Sequence, residues 1–207
     1  MTFPLLPCGE QAVMVQVDDT SAAIDLARWL VAADLPGIVD IVPAARTVLI
    51  RCDDRTGRIG AEEALAGYRQ SGVPAETGRL VEVPVVYDGA DLADVADLTG
   101  LSVGEVIVRH STVIYTAAFC GFAPGFSYLA GLDSRLHLPR RATPRPRIPA
   151  GSVAIAADFT GVYPTDSPGG WHLLGHTDAV LWDVARSEPA LLAPGCRVRF
   201  VEMPAPR

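Results

Sequence analysis

Five arginines, Arg135, Arg140, Arg141, Arg145 and Arg147, stand in a segment with no aspartate or glutamate, interleaved with Pro139, Pro144, Pro146 and Pro149. Guanidinium forks on a proline-stiffened loop suit paired recognition of phosphate or carboxylate, although the same residues would also serve as a solvated arm. The acidic remainder of the chain favours the clamp, so Arg140, Arg141 and Arg145 are expected to bind an anion. A second group is the run from Phe119 to Gly131, in which Gly121, Phe122, Pro124, Gly125, Phe126 and Tyr128 hold large rings on a backbone that cannot form a regular helix. It reads as a shaped binding surface or as an aromatic mini-core under a loop. A third is Ser167-Pro168-Gly169-Gly170-Trp171. Its Pro-Gly pair suits the middle of a type II turn, and Gly170 would let a ligand or another backbone approach closely. The one acid–base candidate is His110, at a predicted helix end beside the aromatic run. There it acts on substrate or, equally, complements the helix dipole.

Other chemistries find less support. His172 and His176 have the spacing of two metal ligands on a helix, but Gly175 and a β context make the segment extended. Four residues then span roughly 13 Å, too far for one ion, and no metal ligand set is expected. Ser127 and Ser167 lack a nucleophile-elbow motif and a histidine at motif spacing. All 17 basic residues are arginine, which removes a Walker A lysine, a Schiff-base lysine and a biotinylated lysine from this chain. A net charge of −7 argues against non-specific nucleic-acid binding. The uncharged run from Ser111 to Leu132 is long enough for a membrane span, yet Gly121, Pro124 and Gly125 break it in the middle. Four scattered cysteines show no Cys-x-x-Cys pair, and no signal-type leader is visible, so a cytoplasmic protein with free thiols is expected.

The elements that must carry these groups fall into two sets. Alternation over Ala12–Asp18 gives a strand, a helix runs to about Ala33, a hairpin pairs Ile38–Val42 with Thr47–Cys52, and a helix from about Arg58 precedes a strand over Arg79–Tyr87. Strand, helix, strand, strand, helix, strand is the split βαβ order of a ferredoxin-like α+β domain, assigned to residues 1–86. Residues 87–207 open with two short helices, the second introduced by a capping box at Ser102 and Glu105, and continue as short strands between Gly and Pro turns. This is the pattern of a β-barrel. Four segments are expected to meet at the aromatic run: Arg109-His110, Arg135–Arg147, a Gly turn over Asp158–Tyr163, and Ser167–Trp171.

The succession Gly121–Leu132, Pro139–Arg145, Ile148–Val153 and Ser167–Trp171, together with Pro36–Ala44, resembles the carboxyltransferase-domain family in order and spacing. That family includes the B-type subunits of bacterial 5-oxoprolinases, proteins labelled allophanate hydrolase subunit 1, and Kip-type kinase inhibitors. The resemblance implies a cyclophilin-like barrel behind the α+β domain. It also implies a second cyclophilin-like carboxyltransferase subunit as partner, a third hydrolase subunit, a small-molecule lactam or amide substrate, and ATP bound by or shared with a partner. A Kip-type inhibitor that binds a histidine kinase, and an allophanate or urea-carboxylase-type subunit, stand as alternatives. His176, Asp178 and Cys196 depart from the residues usual in the family.

Overall fold

Val13 and Val15 alternate with Met14 and Gln16 along β2 (Ala12–Gln16), so one face of the strand is dry and the other wet. Around it the sheet runs β1 (Leu5–Pro7), β2, β4 (Thr47–Cys52), β3 (Ile38–Pro43), all antiparallel. Two helices cover the valine face. In α1 (Thr20–Ala33) the Asp19 carboxylate caps the start by accepting the Ala22 N–H, and in α2 (Arg55–Gly67) Asp54 does the same for Gly57. Val13, Val15, Leu26, Leu30, Val48 and Ile50 form the buried centre. This computed structural model describes residues 3–70 and 78–204, and the chain divides into two compact units, Met1–Ala75 and Glu76–Arg207.

The first unit has the strand order of a ferredoxin-like sheet, with one substitution. The edge beside β2, expected to hold the strand at Arg79–Tyr87, is taken by β1 from the start of the chain. The expected strand, β5 (Leu80–Val85), instead runs parallel to β13 (Arg197–Glu202) in the sheet of the second unit, in register from Leu80 opposite Arg197 to Val85 opposite Glu202. Period-two alternation of Val81, Val83 and Val85 identifies an inward face but not which sheet receives it. The division therefore falls ahead of this strand, between Ala75 and Glu76, and not after residue 86.

The second unit continues with α3 (Leu92–Thr99), α4 (Val103–Ser111), β6 (Tyr115–Cys120), β7 (Ser127–Ala130), β8 (Arg145–Ile148), β9 (Ser152–Ala156), β10 (Phe159–Val162), β11 (Ser167–Gly169) and β12 (His172–His176). Seven strands form one sheet in the order β12-β9-β10-β7-β6-β13-β5, while β8 and β11 make a separate ribbon. The two ends of the sheet meet where Val86 and His176 exchange both backbone hydrogen bonds at 2.9 Å, nearly closing a barrel. Gly175 makes that closure possible, because an added Cβ would stand 2.2 Å from the Val86 carbonyl oxygen. Tyr115, Leu129, Ile155, Leu174, Val198 and Phe200 fill the interior. The capping box is present, with Ser102 and Glu105 each satisfying the other's backbone N–H. The segment Asp158–Tyr163, expected as a turn, is mostly strand β10. Val180–Val184 makes a single bridge, between Trp182 and Ala190. Among the described residues no helix is long and apolar enough to cross a membrane.

Candidate functional site

Between β6 and β7 the chain reverses in a tight turn. The Ala123 N–H donates to the Gly121 carbonyl at 2.8 Å and the Phe126 N–H to the Ala123 carbonyl at 3.0 Å. Pro124 and Gly125 complete it, and Gly125 adopts φ 84 with the Trp182 Cβ 2.8 Å from where its own Cβ would be. At the tip Phe122 is held at φ 69, a left-handed conformation that an aromatic residue rarely takes, and 59% of it is exposed. Beneath it Phe126 is 2% exposed and makes edge-to-face contacts with Phe122 (5.3 Å), Tyr128 (5.1 Å), Tyr163 (5.3 Å) and Trp171 (5.4 Å). Leu129 faces the barrel interior, so its neighbour Tyr128 projects from the outer face, where these rings form a second core. Phe126 and Trp171 are thus mini-core, while Phe122 stands at the surface.

The arginine loop lies beside this cluster. The Arg141 N–H donates to the Gly170 carbonyl at 2.7 Å, and the β8–β11 ribbon sets Arg145 opposite Gly169. An added Cβ at Gly170 would lie at ordinary contact distance, 3.8 and 3.9 Å, from the Pro144 and Arg140 Cβ atoms, so the loop packs directly against this position. The expected substrate clamp is nevertheless not free. Arg145 grips the Asp91 carboxylate with two bonds of 2.7 and 2.8 Å, Arg141 adds one of 2.6 Å, and the Leu173 N–H a fourth of 2.8 Å. Asp91 is buried. Burial raises its pKa, but the bonds from Arg145 and Leu173 and the charges of both arginines outweigh it and hold the group below the usual carboxylate range. Arg141 and Arg145 therefore bind an anion belonging to the chain itself. Pro168 lies within β11, and Arg147 pairs with Asp166 at the surface. Among the loop arginines 140, 141, 145 and 147, only Arg140 has no carboxylate partner among the described residues.

His110 is corrected as well. It is fully buried, stacked on Phe200 at 4.6 Å, with Nδ1 hydrogen-bonded to the Tyr87 hydroxyl (2.7 Å) and Nε2 to the Thr160 hydroxyl (2.8 Å). The helix turned this side chain into the barrel, a direction that its position near a C-terminus did not reveal. Desolvation pushes its pKa down to about 3, so it is neutral in the folded state. A folded pKa below the unfolded value of about 6.5 means the unfolded chain takes up the proton first. Stability is full above that value and falls as pH drops from about 6.5 toward 3, with a limiting slope of about 1.4 kcal/mol per pH unit. Urea unfolding of the barrel unit across this window should show that slope, and His110→Gln should flatten it; an unchanged slope would assign the effect elsewhere.

His172 and His176 are also separately engaged, the first donating from Nε2 to the Pro139 carbonyl at 2.9 Å and the second pairing with Asp88 at 2.7 Å. The Ser167 hydroxyl meets no hydrogen-bond partner among the described residues, imidazole included. What the fold gathers is a shelf of Phe122, the Tyr163 hydroxyl, Arg140 and the glycines Gly169 and Gly170. Tyr163 packs under Phe122, its hydroxyl lies against Gly169, and its pKa is raised by burial, with the hydrogen bond to the Trp171 backbone and then the Arg140 charge pulling the other way. Such a shelf can hold an anion against a ring; it offers no activated nucleophile. Sequence reasoning missed Asp91, visible only as a helix start. The signal for it was the arginine loop itself, since guanidiniums with no acid in their own segment need one from elsewhere.

Residues 3–192 match the family model described as carboxyltransferase domain, subdomain C and D. A protein of Escherichia coli O157:H7 named as the B subunit of 5-oxoprolinase is 43% identical over 202 residues, 93% of each chain. The crystal structure of TTHA0988 superposes with a TM-score of 0.77 at 40% identity, covering 95% of this chain. This chain corresponds to only 40% of that one. A conserved uncharacterised protein, PH0987 from Pyrococcus horikoshii, superposes over 98% of both chains with a TM-score of 0.59 at 33% identity.

Proposed function

Because this chain belongs to the carboxyltransferase domain, subdomain C and D, family, we propose that it is the B-type subunit of a 5-oxoprolinase complex, which opens the ring of 5-oxoproline to glutamate. The observation that carries this reading is 43% identity, over 93% of both chains, with a protein bearing that name. The shelf fits a contributory role. Arg140 supplies one uncommitted guanidinium for a carboxylate, and Phe122 supplies an apolar wall, while the second wall and the reacting groups come from a partner. The partners of this reading are a second cyclophilin-like subunit and a third hydrolase subunit.

ATP is the co-substrate that makes opening of an unstrained amide favourable. With no lysine in the chain and one uncommitted arginine at the shelf, the residues here do not fit a triphosphate, so the nucleotide belongs to a partner subunit. The test is consumption of 5-oxoproline by the assembled complex with and without ATP. Arg140→Gln should lower kcat/KM by roughly 10-fold or more, the value of a charge-assisted hydrogen bond, without moving the melting temperature. A reconstituted complex without ATP-dependent turnover would overturn the reading; unaltered kinetics in the variant would remove Arg140 from the site.

A further inference from the structure

Four apolar side chains stand exposed around the aromatic turn: Phe122, and Val180, Trp182 and Val184 at alternate positions of the segment that packs on Gly125. Val184 is 80% and Trp182 41% exposed. Burying none of them looks costly for a free surface, and two features show that their exposure is built. Trp182 is placed by direct backbone contact, since only a glycine at position 125 leaves room for its Cβ. Phe122 is presented outward by a left-handed backbone that costs of order 1 kcal/mol. Around the stripe the chain is polar: Asp183 pairs with Arg186 at 3.5 Å, and Arg186 also donates to the Val180 carbonyl at 3.1 Å. Rigid aromatic anchors in an apolar centre with a charged rim are the anatomy of a protein interface.

We infer that this stripe is the docking surface for a separate subunit, the one equivalent to the part of TTHA0988 that this chain does not match. The inference rests on the complex proposed above. TTHA0988 carries the same fold at 40% identity within a chain of which it makes up only 40%, so there the unit is joined covalently to further polypeptide. PH0987 and the Escherichia coli relative match this unit over 98% and 93% of their own lengths, so the unit also occurs apart from that polypeptide and must then find it through a surface; among the exposed apolar side chains of the described residues, those of the stripe are the ones anchored by aromatic rings and set beside the shelf. Seated there, the subunit would border the shelf of Phe122 and Arg140 and exclude water from it.

The test uses the full chain and the full-length subunit chosen by similarity to the unmatched portion of TTHA0988, with affinity read by calorimetry and mass by light scattering. Wild type should form a defined complex. Trp182→Arg and Val184→Asp should each weaken it, the tryptophan change by at least about 30-fold as expected for an interface hot spot. Melting temperatures should stay within a degree or two of wild type; Val184 is too exposed for its replacement to disturb folding. Val39→Asp, on an exposed position of β3 in the first unit, should bind as wild type. Undiminished binding by both stripe variants would overturn the docking surface and leave the complex standing. A wild-type chain that fails to bind the subunit would overturn both, whereas a stripe found to serve only a homodimer of this chain would overturn the docking surface alone.

Discussion

Replacing Asp91 with alanine is expected to destabilise the barrel unit by about 3–5 kcal/mol, because it strands two half-buried guanidiniums whose shared partner is fully buried. The carboxylate takes four hydrogen bonds, from Arg141, twice from Arg145 and from the Leu173 backbone, and leaves no lone pair for water. It ties the start of α3 to the arginine loop and to β12, so its loss should free the loop as well as lower the unfolding midpoint in urea. Asp166, paired with the largely exposed Arg147, is the contrasting case, and Asp166→Ala should cost no more than about 1 kcal/mol. The depressed pKa of Asp91 also sets a direction with pH. Its contribution is complete above the unfolded carboxylate value near 4 and is lost as pH falls through the lower folded value. Comparable midpoints for the two alanine variants would refute the latch.

Phe126→Ala is the second large effect, about 3–5 kcal/mol for emptying a buried aromatic site. The ring touches Phe122, Tyr128, Tyr163 and Trp171, so the cavity would open beneath the shelf itself. Both stability and turnover should fall, whereas Phe126→Leu should recover most of the stability and only part of the turnover. If Leu restored both fully, the ring would be packing alone and would have no part in positioning Phe122.

Much of this was legible in the chain. The capping box at Ser102 and Glu105 located one helix start, and alternation located most strands, because these depend on neighbours in sequence, while the helix expected from about Arg58 begins at Arg55 under the Asp54 cap. What escaped depended on distant residues. The destination of β5 is fixed by β13, more than a hundred residues later, and nothing local distinguishes an edge of one sheet from an edge of another. The same holds at the site. The glycine-rich turn and the Ser167–Trp171 segment were recognised by composition, and the structure does bring them together with the arginine loop. The arginines' true partner and the inward turn of His110 are facts of tertiary packing, invisible to residue type.

The barrel's opening strand pairs along its whole length with its closing one. On the ribosome β5 emerges ahead of β13 and waits while more than a hundred further residues are made before its neighbour leaves the exit tunnel. A nascent chain halted before Arg197 would carry β5 with one edge unpaired. Translation pauses late in the message, or holdase chaperones that cover that edge, should therefore govern how much of this protein reaches its native state.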